Sequence, residues 1–248
     1  MLSLDLFQPI LFLVSALAAA VAALSGFGIG SILTPLLATQ VDIKLAVAAI
    51  SIPHVIATTL RFIMLREHLN KQVFIQFGTF SALGGLLGAL LHANANNPIL
   101  TYIFSGLLVY VGLGGLTGWS QKIQISKTWS SIAGVISGGL GGLVGNQGGI
   151  RSAALLSFDL PKSEFVATAT AIGVVVDLAR MPVYFITEGQ NLLRIWPLIT
   201  IAAAGCIFGT LIGKKLLSVF SEKVFRRIVS CSLVALGAYM ATQAKPYN

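Results

Sequence analysis

Ser25-Gly26-Phe27-Gly28-Ile29-Gly30-Ser31 and Gly145-Asn146-Gln147-Gly148-Gly149-Ile150-Arg151-Ser152 each interrupt a long apolar tract. Each is followed by an apolar segment too short to cross a bilayer, 31–40 (which contains Pro35) and 150–160. Glycine and proline at membrane depth free backbone N–H and C=O groups. Such groups are tolerable only where protein or water satisfies them, so a break of this kind lies inside the protein rather than against lipid.

The surrounding tracts establish that lipid is the solvent. Of 248 residues, 56% are hydrophobic and 10% charged, and the mean hydropathy is +0.88. A soluble domain carries about 25% charged residues. Eight acids and sixteen bases cannot wet a surface of this size. A full span needs about 20 apolar residues, and the pattern predicts spans near 7–25, 44–65, 72–92, 98–119, 129–145, 165–186, 195–213 and 224–242. The first Lys or Arg is Lys44. Without a basic n-region, residues 1–25 read as a retained span rather than a cleaved signal. The net charge of +8 fits basic residues at span ends and does not call for nucleic acid. Cys206 and Cys231 lie inside apolar runs and read as packing residues; no metal-ligating spacing occurs.

The two halves repeat. Gly28 and Gly148 are 120 residues apart; Ser51 and Thr170, and Arg61 and Arg180, are 119 apart; Gly84 and Gly205, and Gly88 and Gly209, are 121 apart. Residues 1–121 and 128–248 are thus read as two membrane repeats of one transmembrane domain, joined by the stretch 122–127. Charge then chooses the topology. If each short segment turns back as a re-entrant half-helix, each half makes an odd number of passages and the halves are inverted. Arg66, Lys71, Lys122, Lys127, Lys162, Lys214, Lys215, Lys223, Arg226 and Arg227 then share one side, against Lys44, Arg194 and Lys245 on the other. That asymmetry follows the positive-inside rule. The expected fold is all-α, with two inverted repeats, about eight full spans, two re-entrant half-helices and both termini outside. Gly84-x-x-x-Gly88 and Gly205-x-x-x-Gly209-x-x-x-Gly213 are read as close helix packing.

Repeat-built transporters bind substrate where broken helices meet. A half-helix N-terminus offers unpaired N–H groups and partial positive charge to an anion. Half-helices starting near Ser31 and Ser152 would aim at one centre, which makes Ser25, Gly28, Ser31, Asn146, Gln147, Gly148, Arg151 and Ser152 the candidate substrate-binding residues. Arg151 is the strongest: an arginine at membrane depth is costly and faces a cavity, a partner or a ligand, and its planar fork suits oxyanions. The competing role is snorkelling to the surface. His54, Arg61, Asp177 and Arg180 are candidates for the pathway or for ion coupling. Asp177 and Arg180, spaced i, i+3, are expected to pair. His54, after Pro53, is either a proton shuttle or a hydrogen-bonded core histidine. His68 and His92 are expected in loops. No nucleophile, zinc-protease, dinucleotide or Walker A motif occurs, so the chain is not read as an enzyme, and any transport is secondary or facilitated, with no cofactor.

With its Ser-Gly-Phe-Gly-Ile-Gly-Ser-Ile-Leu-Thr-Pro at 25–35, the glycines at 145–149 and the duplicated eight-span layout, the chain resembles the TauE/SafE (sulfite exporter, TSUP) family over nearly its whole length. The second half departs from the glycine-then-proline pattern, with Leu155 where a proline would stand. The resemblance implies export or uptake of sulfite, thiosulfate or sulfonates. The expected protein is a multi-pass secondary transporter of a small anion in a bacterial inner (plasma) membrane, with a proton or sodium ion as candidate coupling ion and a homo-oligomer as candidate assembly. A passive anion channel or uniporter is the runner-up, and a membrane scaffold a distant third.

Overall fold

The computed structural model describes residues 4–25, 28–118, 129–145, 148–156, 158–217 and 222–243. Among these the chain is helical, with no strand. α1 (Leu4–Ser25) ends at the first break, and α2 (Ile29–Leu37) follows it. α3 (Ile43–Leu65) is capped by Asp42, whose side chain accepts from the Leu45 N–H at 3.1 Å. Asn70 caps α4 (Lys71–Val73), which runs through a π-helical turn (Phe74–Gly78) into α5 (Thr79–Asn94). Asn96 caps α6 (Asn97–Thr117). Then come α7 (Ser130–Val144), α8 (Gly148–Leu156), α9 (Lys162–Arg194), α10 (Trp196–Leu217) and α11 (Glu222–Gln243).

Among the described residues, six helices are long and apolar enough to cross a membrane: Leu6–Ala23, Ile43–His68, Lys71–Asn94, Asn97–Thr117, Lys162–Arg194 and Trp196–Gly213. Ser130–Val144 and Leu233–Thr242 are shorter apolar helices at the two remaining expected spans. α9, with 33 residues, is longer than the expected 165–186. The short helices after the two breaks begin at Ile29 and Gly148, slightly earlier than the expected serines. The 122–127 stretch lies outside the described residues. Leu83, Leu87 and Leu91 on α5, and Ile132 and Ile136 on α7, are exposed large apolar side chains, a surface that only lipid would solvate well.

Small residues fix the helix pairs. α5 runs alongside α7, parallel to it: a Cβ on Gly84 would strike the Val135 carbonyl oxygen, one on Gly88 that of Gly139, and one on Gly142 that of Gly85. α1 and α10 are likewise parallel, with Gly205 against Phe12 and Gly209 against Ala16. Backbones this close leave no room for a side chain, which is why glycine recurs at four-residue spacing. α6 and α11 are antiparallel, Gly237 meeting Ser105 and Gly115 meeting Ser230. α3 and α9 are also antiparallel: His54 meets Asp177, and Asn70, beyond the end of α3, meets Thr168 and Glu164.

Candidate functional site

Where α3 crosses α9, polar groups gather in an otherwise apolar interior. Asp177 is fully buried and is the one buried carboxylate among the described residues. Its Oδ1 accepts from Arg180 Nε at 3.0 Å and lies 2.8 Å from the Arg180 terminal nitrogen. Its Oδ2 lies 2.6 Å from His54 Nδ1 and accepts from the Thr58 hydroxyl at 3.4 Å. Arg180 also donates to the Gly141 carbonyl at 2.5 Å and stacks over the Tyr184 ring. The Tyr184 hydroxyl donates to the next carbonyl, Gly142. The expected Asp177–Arg180 pair forms, and His54 joins it as a third member.

The two breaks meet beside this cluster. Gly28 caps α2 with φ 130° and no side-chain capping bond, a backbone conformation open to glycine and strained for other residues. Gly30 abuts the carbonyl oxygen of Gly145 so closely that no Cβ fits, and Gly145 itself ends α7 in the left-handed region at φ 74°. Ser31 is buried in the first turn of α2. From α8, Arg151 reaches α9: a Cβ on Gly173 would stand 3.2 Å from an Arg151 terminal nitrogen and 3.8 Å from the Thr58 methyl. Arg151, only 2% exposed, is buried in the protein rather than snorkelling. Gly148 starts α8, and Ser152 is half-buried with no hydrogen-bond partner for its hydroxyl. Of Ser25 only the backbone is described, and Asn146 and Gln147 lie outside the described residues.

Arg61, on α3, is also 2% exposed. One terminal nitrogen donates to the Ala22 carbonyl at 2.7 Å, in the last turn of α1. Its Nε and other terminal nitrogen have no hydrogen-bond partner. Its charge lies near enough to that of Arg151 to repel it, and Arg151 in turn is attracted by Asp177. Two of the buried guanidinium groups, those of Arg180 and Arg151, thus stand toward a single carboxylate, and the third, that of Arg61, lies on the Arg151 side with no carboxylate of its own. A surplus of positive charge in a low-dielectric interior is costly unless an anion joins it.

Sequence reasoning missed Thr58, Tyr184 and His92. His92 is not in a loop but in the last turn of α5, fully buried, with Nδ1 2.7 Å from the Leu143 carbonyl; His68 is exposed in a short 3-10 turn. For Thr58 a signal existed, since it stands 119 residues before Asp177, the offset that pairs Arg61 with Arg180. A cavity of about 540 Å³ opens elsewhere, lined by Ile52, Phe185, Asn191, Trp196 and their neighbours. Its one charged lining residue is Glu188, so it repels anions. Charge, rather than size, marks the arginine cluster as the candidate site.

The sulfite exporter TauE/SafE family profile matches residues 11–240. This chain belongs to the TauE/SafE family. No match was found among curated proteins or among solved structures. Membership, together with six membrane-length apolar helices, makes the TauE/SafE chain a multi-pass membrane protein of the sulfite-exporter type. The arginine cluster and both breaks lie within the matched residues.

Proposed function

We propose that this protein is a secondary transporter of a small sulfur oxyanion or organosulfonate in a bacterial inner membrane, built from two inverted repeats that together make about eight spans and two re-entrant half-helices. The observation that carries the reading is the buried excess of guanidinium groups, Arg61, Arg151 and Arg180 against Asp177, beside two touching helix breaks. Family membership supports the sulfur chemistry.

The inverted repeat draws support from the helix pairs. Numbered within each half, the first helix of one half packs on the fourth of the other, in both directions: α1 on α10 and α7 on α5. The third helices, α3 and α9, pack on each other, as do the fifth, α6 and α11. A two-fold axis in the membrane plane makes equivalent helices antiparallel, and both of these equivalent pairs run that way. An axis along the membrane normal would make them parallel. α1 and α3 run in the same direction, because both lie parallel to α10 or antiparallel to its neighbour α9. The chain must then turn back between them, which is the task of α2.

A carrier fits the cluster better than a channel, since Arg61, Arg151 and Asp177 are sealed from solvent in this conformation. His54 against Asp177 is the candidate place for a coupling proton. Purified protein in liposomes decides the matter. Radiolabelled sulfite or thiosulfate uptake should saturate and be driven by unlabelled anion on the far side. Flux without counter-exchange would indicate a channel, and no flux of any sulfur anion would sink the reading.

A further inference from the structure

Arg61 and Arg180 occupy equivalent places in the two halves. Each donates to a backbone carbonyl 39 residues earlier, in the last turn of the helix that precedes its break. Those carbonyls, Ala22 and Gly141, are themselves 119 residues apart. The remaining donors differ. Arg180 turns Nε and its other terminal nitrogen onto Oδ1 of Asp177, three residues before it. The residue three before Arg61 is Thr58, which carries no charge, and the corresponding donors of Arg61 are buried without a partner. One half fills its own arginine fork with a carboxylate, and the other leaves the fork open.

The second oxygen of Asp177 points at His54. The residue equivalent to His54 is Gly173. No side chain exists there, and the Arg151 guanidinium stands against that glycine instead. A ligand occupying the Arg61 fork as Asp177 occupies that of Arg180 would direct its second oxygen toward Arg151.

We propose that the substrate anion is an oxyanion that takes the place of Asp177 in the first repeat, one oxygen in the open fork of Arg61 and another toward Arg151. This rests on the anion-transport reading above and specifies its site. The class of ligand follows. It has at least two oxygens on one centre, as sulfite, a sulfonate or a carboxylate does, because a monatomic anion cannot reach both guanidinium groups while keeping the in-plane fork geometry. Arg180 is the internal reference, a fork already satisfied.

The experiment is thermal-shift and calorimetric titration of the purified full-length protein with sodium methanesulfonate and sodium sulfite, against sodium chloride at equal ionic strength. Both oxyanions should stabilise wild type in a saturable way, and chloride should not compete. Arg61→Gln should weaken methanesulfonate binding by about ten- to a hundredfold, the range expected for loss of charge-assisted hydrogen bonds. Arg61→Lys should recover only part of this. Thr58→Asp supplies an internal carboxylate at the place equivalent to Asp177, although it also stands beside Asp177 Oδ2, so it should bind neither oxyanion, while Thr58→Asn, equal in size and uncharged, should bind more tightly than Thr58→Asp. Wild type indifferent to both oxyanions would bring down the transport reading itself. Wild-type affinity in Arg61→Gln, Arg61→Lys or Thr58→Asp, with binding by wild type intact, would overturn this site alone. Should the Arg61 variants fail to fold, Thr58→Asp against Thr58→Asn decides. If these do not fold either, Arg151→Gln decides, wild-type affinity for methanesulfonate in that variant counting against the site.

Discussion

Replacing Asp177 with alanine should convert the closed fork of the second repeat into an open one. The change deletes a buried carboxylate that holds Arg180 through two nitrogens at 3.0 and 2.8 Å and His54 at 2.6 Å. Arg180 keeps its bond to the Gly141 carbonyl but is left with a buried charge and two unsatisfied donors. Breaking a buried pair by removing one partner costs about 3–5 kcal/mol. For a chain of this length each kcal/mol lowers the melting temperature by about 2–4 °C, so Asp177→Ala should melt roughly 6–20 °C below wild type. The vacated space has the size of a carboxylate and is lined by the Arg180 guanidinium that held one. Acetate should enter it, and at about ten times its dissociation constant it should return about 1.4 kcal/mol. Asp177→Asn fills the same space and should show no such extra rescue. The assay is thermal unfolding in detergent with and without sodium acetate, against sodium chloride. The reasoning fails if Asp177→Ala melts within 2 °C or so of wild type, a shift below 1 kcal/mol, or if acetate stabilises it no more than it stabilises wild type.

Helix packing gives a contrasting pair of glycines. Gly84→Ala places a methyl on the Val135 carbonyl and should cost about 1–3 kcal/mol, whereas Gly106→Ala, with open space around it, should stabilise by up to about 1 kcal/mol; thermal unfolding of both variants checks the order. Gly28→Ala also meets no neighbour, yet its φ of 130° should cost about 1–3 kcal/mol and slow sulfite uptake at unchanged expression. Cysteines placed in the 122–127 stretch of a variant lacking Cys206 and Cys231 should resist a membrane-impermeant reagent in intact cells, while cysteines near residue 246 should react; the reverse pattern would refute the inverted topology.

Much of this architecture was legible in sequence because its determinants are local. The apolar runs place the helices, and glycine clusters place the breaks at 26–30 and 145–149. A shared offset pairs Arg61 with Arg180. The Asp177–Arg180 pair follows from i, i+3 spacing on one helix. What could not be read depends on which helices cross. His54 and Asp177 are 123 residues apart, and nothing in either neighbourhood announces the other. His92 looked like a loop residue because Asn94 through Asn97 and Pro98 follow it, but the cap at Asn96 starts the next helix so late that α5 extends through Asn94. Arg61, unlike Arg180, has no acidic residue three positions before it. In the folded chain that same lack leaves its fork open.

The two halves share a backbone plan and differ in charge, and the difference has a physical logic. Were both forks filled by internal carboxylates, Arg61 would be neutralised as Arg180 is, and no open fork would remain for an anion. Were both forks open, three guanidinium groups would lie buried with no carboxylate, an arrangement whose cost no single small anion offsets. One filled and one open fork lies between these limits. Asp177 holds α9 to α3 through His54 and to the end of α7 through Arg180, so one side of the crossing stays fixed whether or not substrate is present. Arg61 holds α3 to the end of α1 by a single carbonyl bond, and its remaining donors are satisfied only when an anion arrives. On the proposed reading of a two-fold carrier that favours different packings with and without cargo, the half whose arginine waits for its partner is the half whose helix contacts the cargo can change.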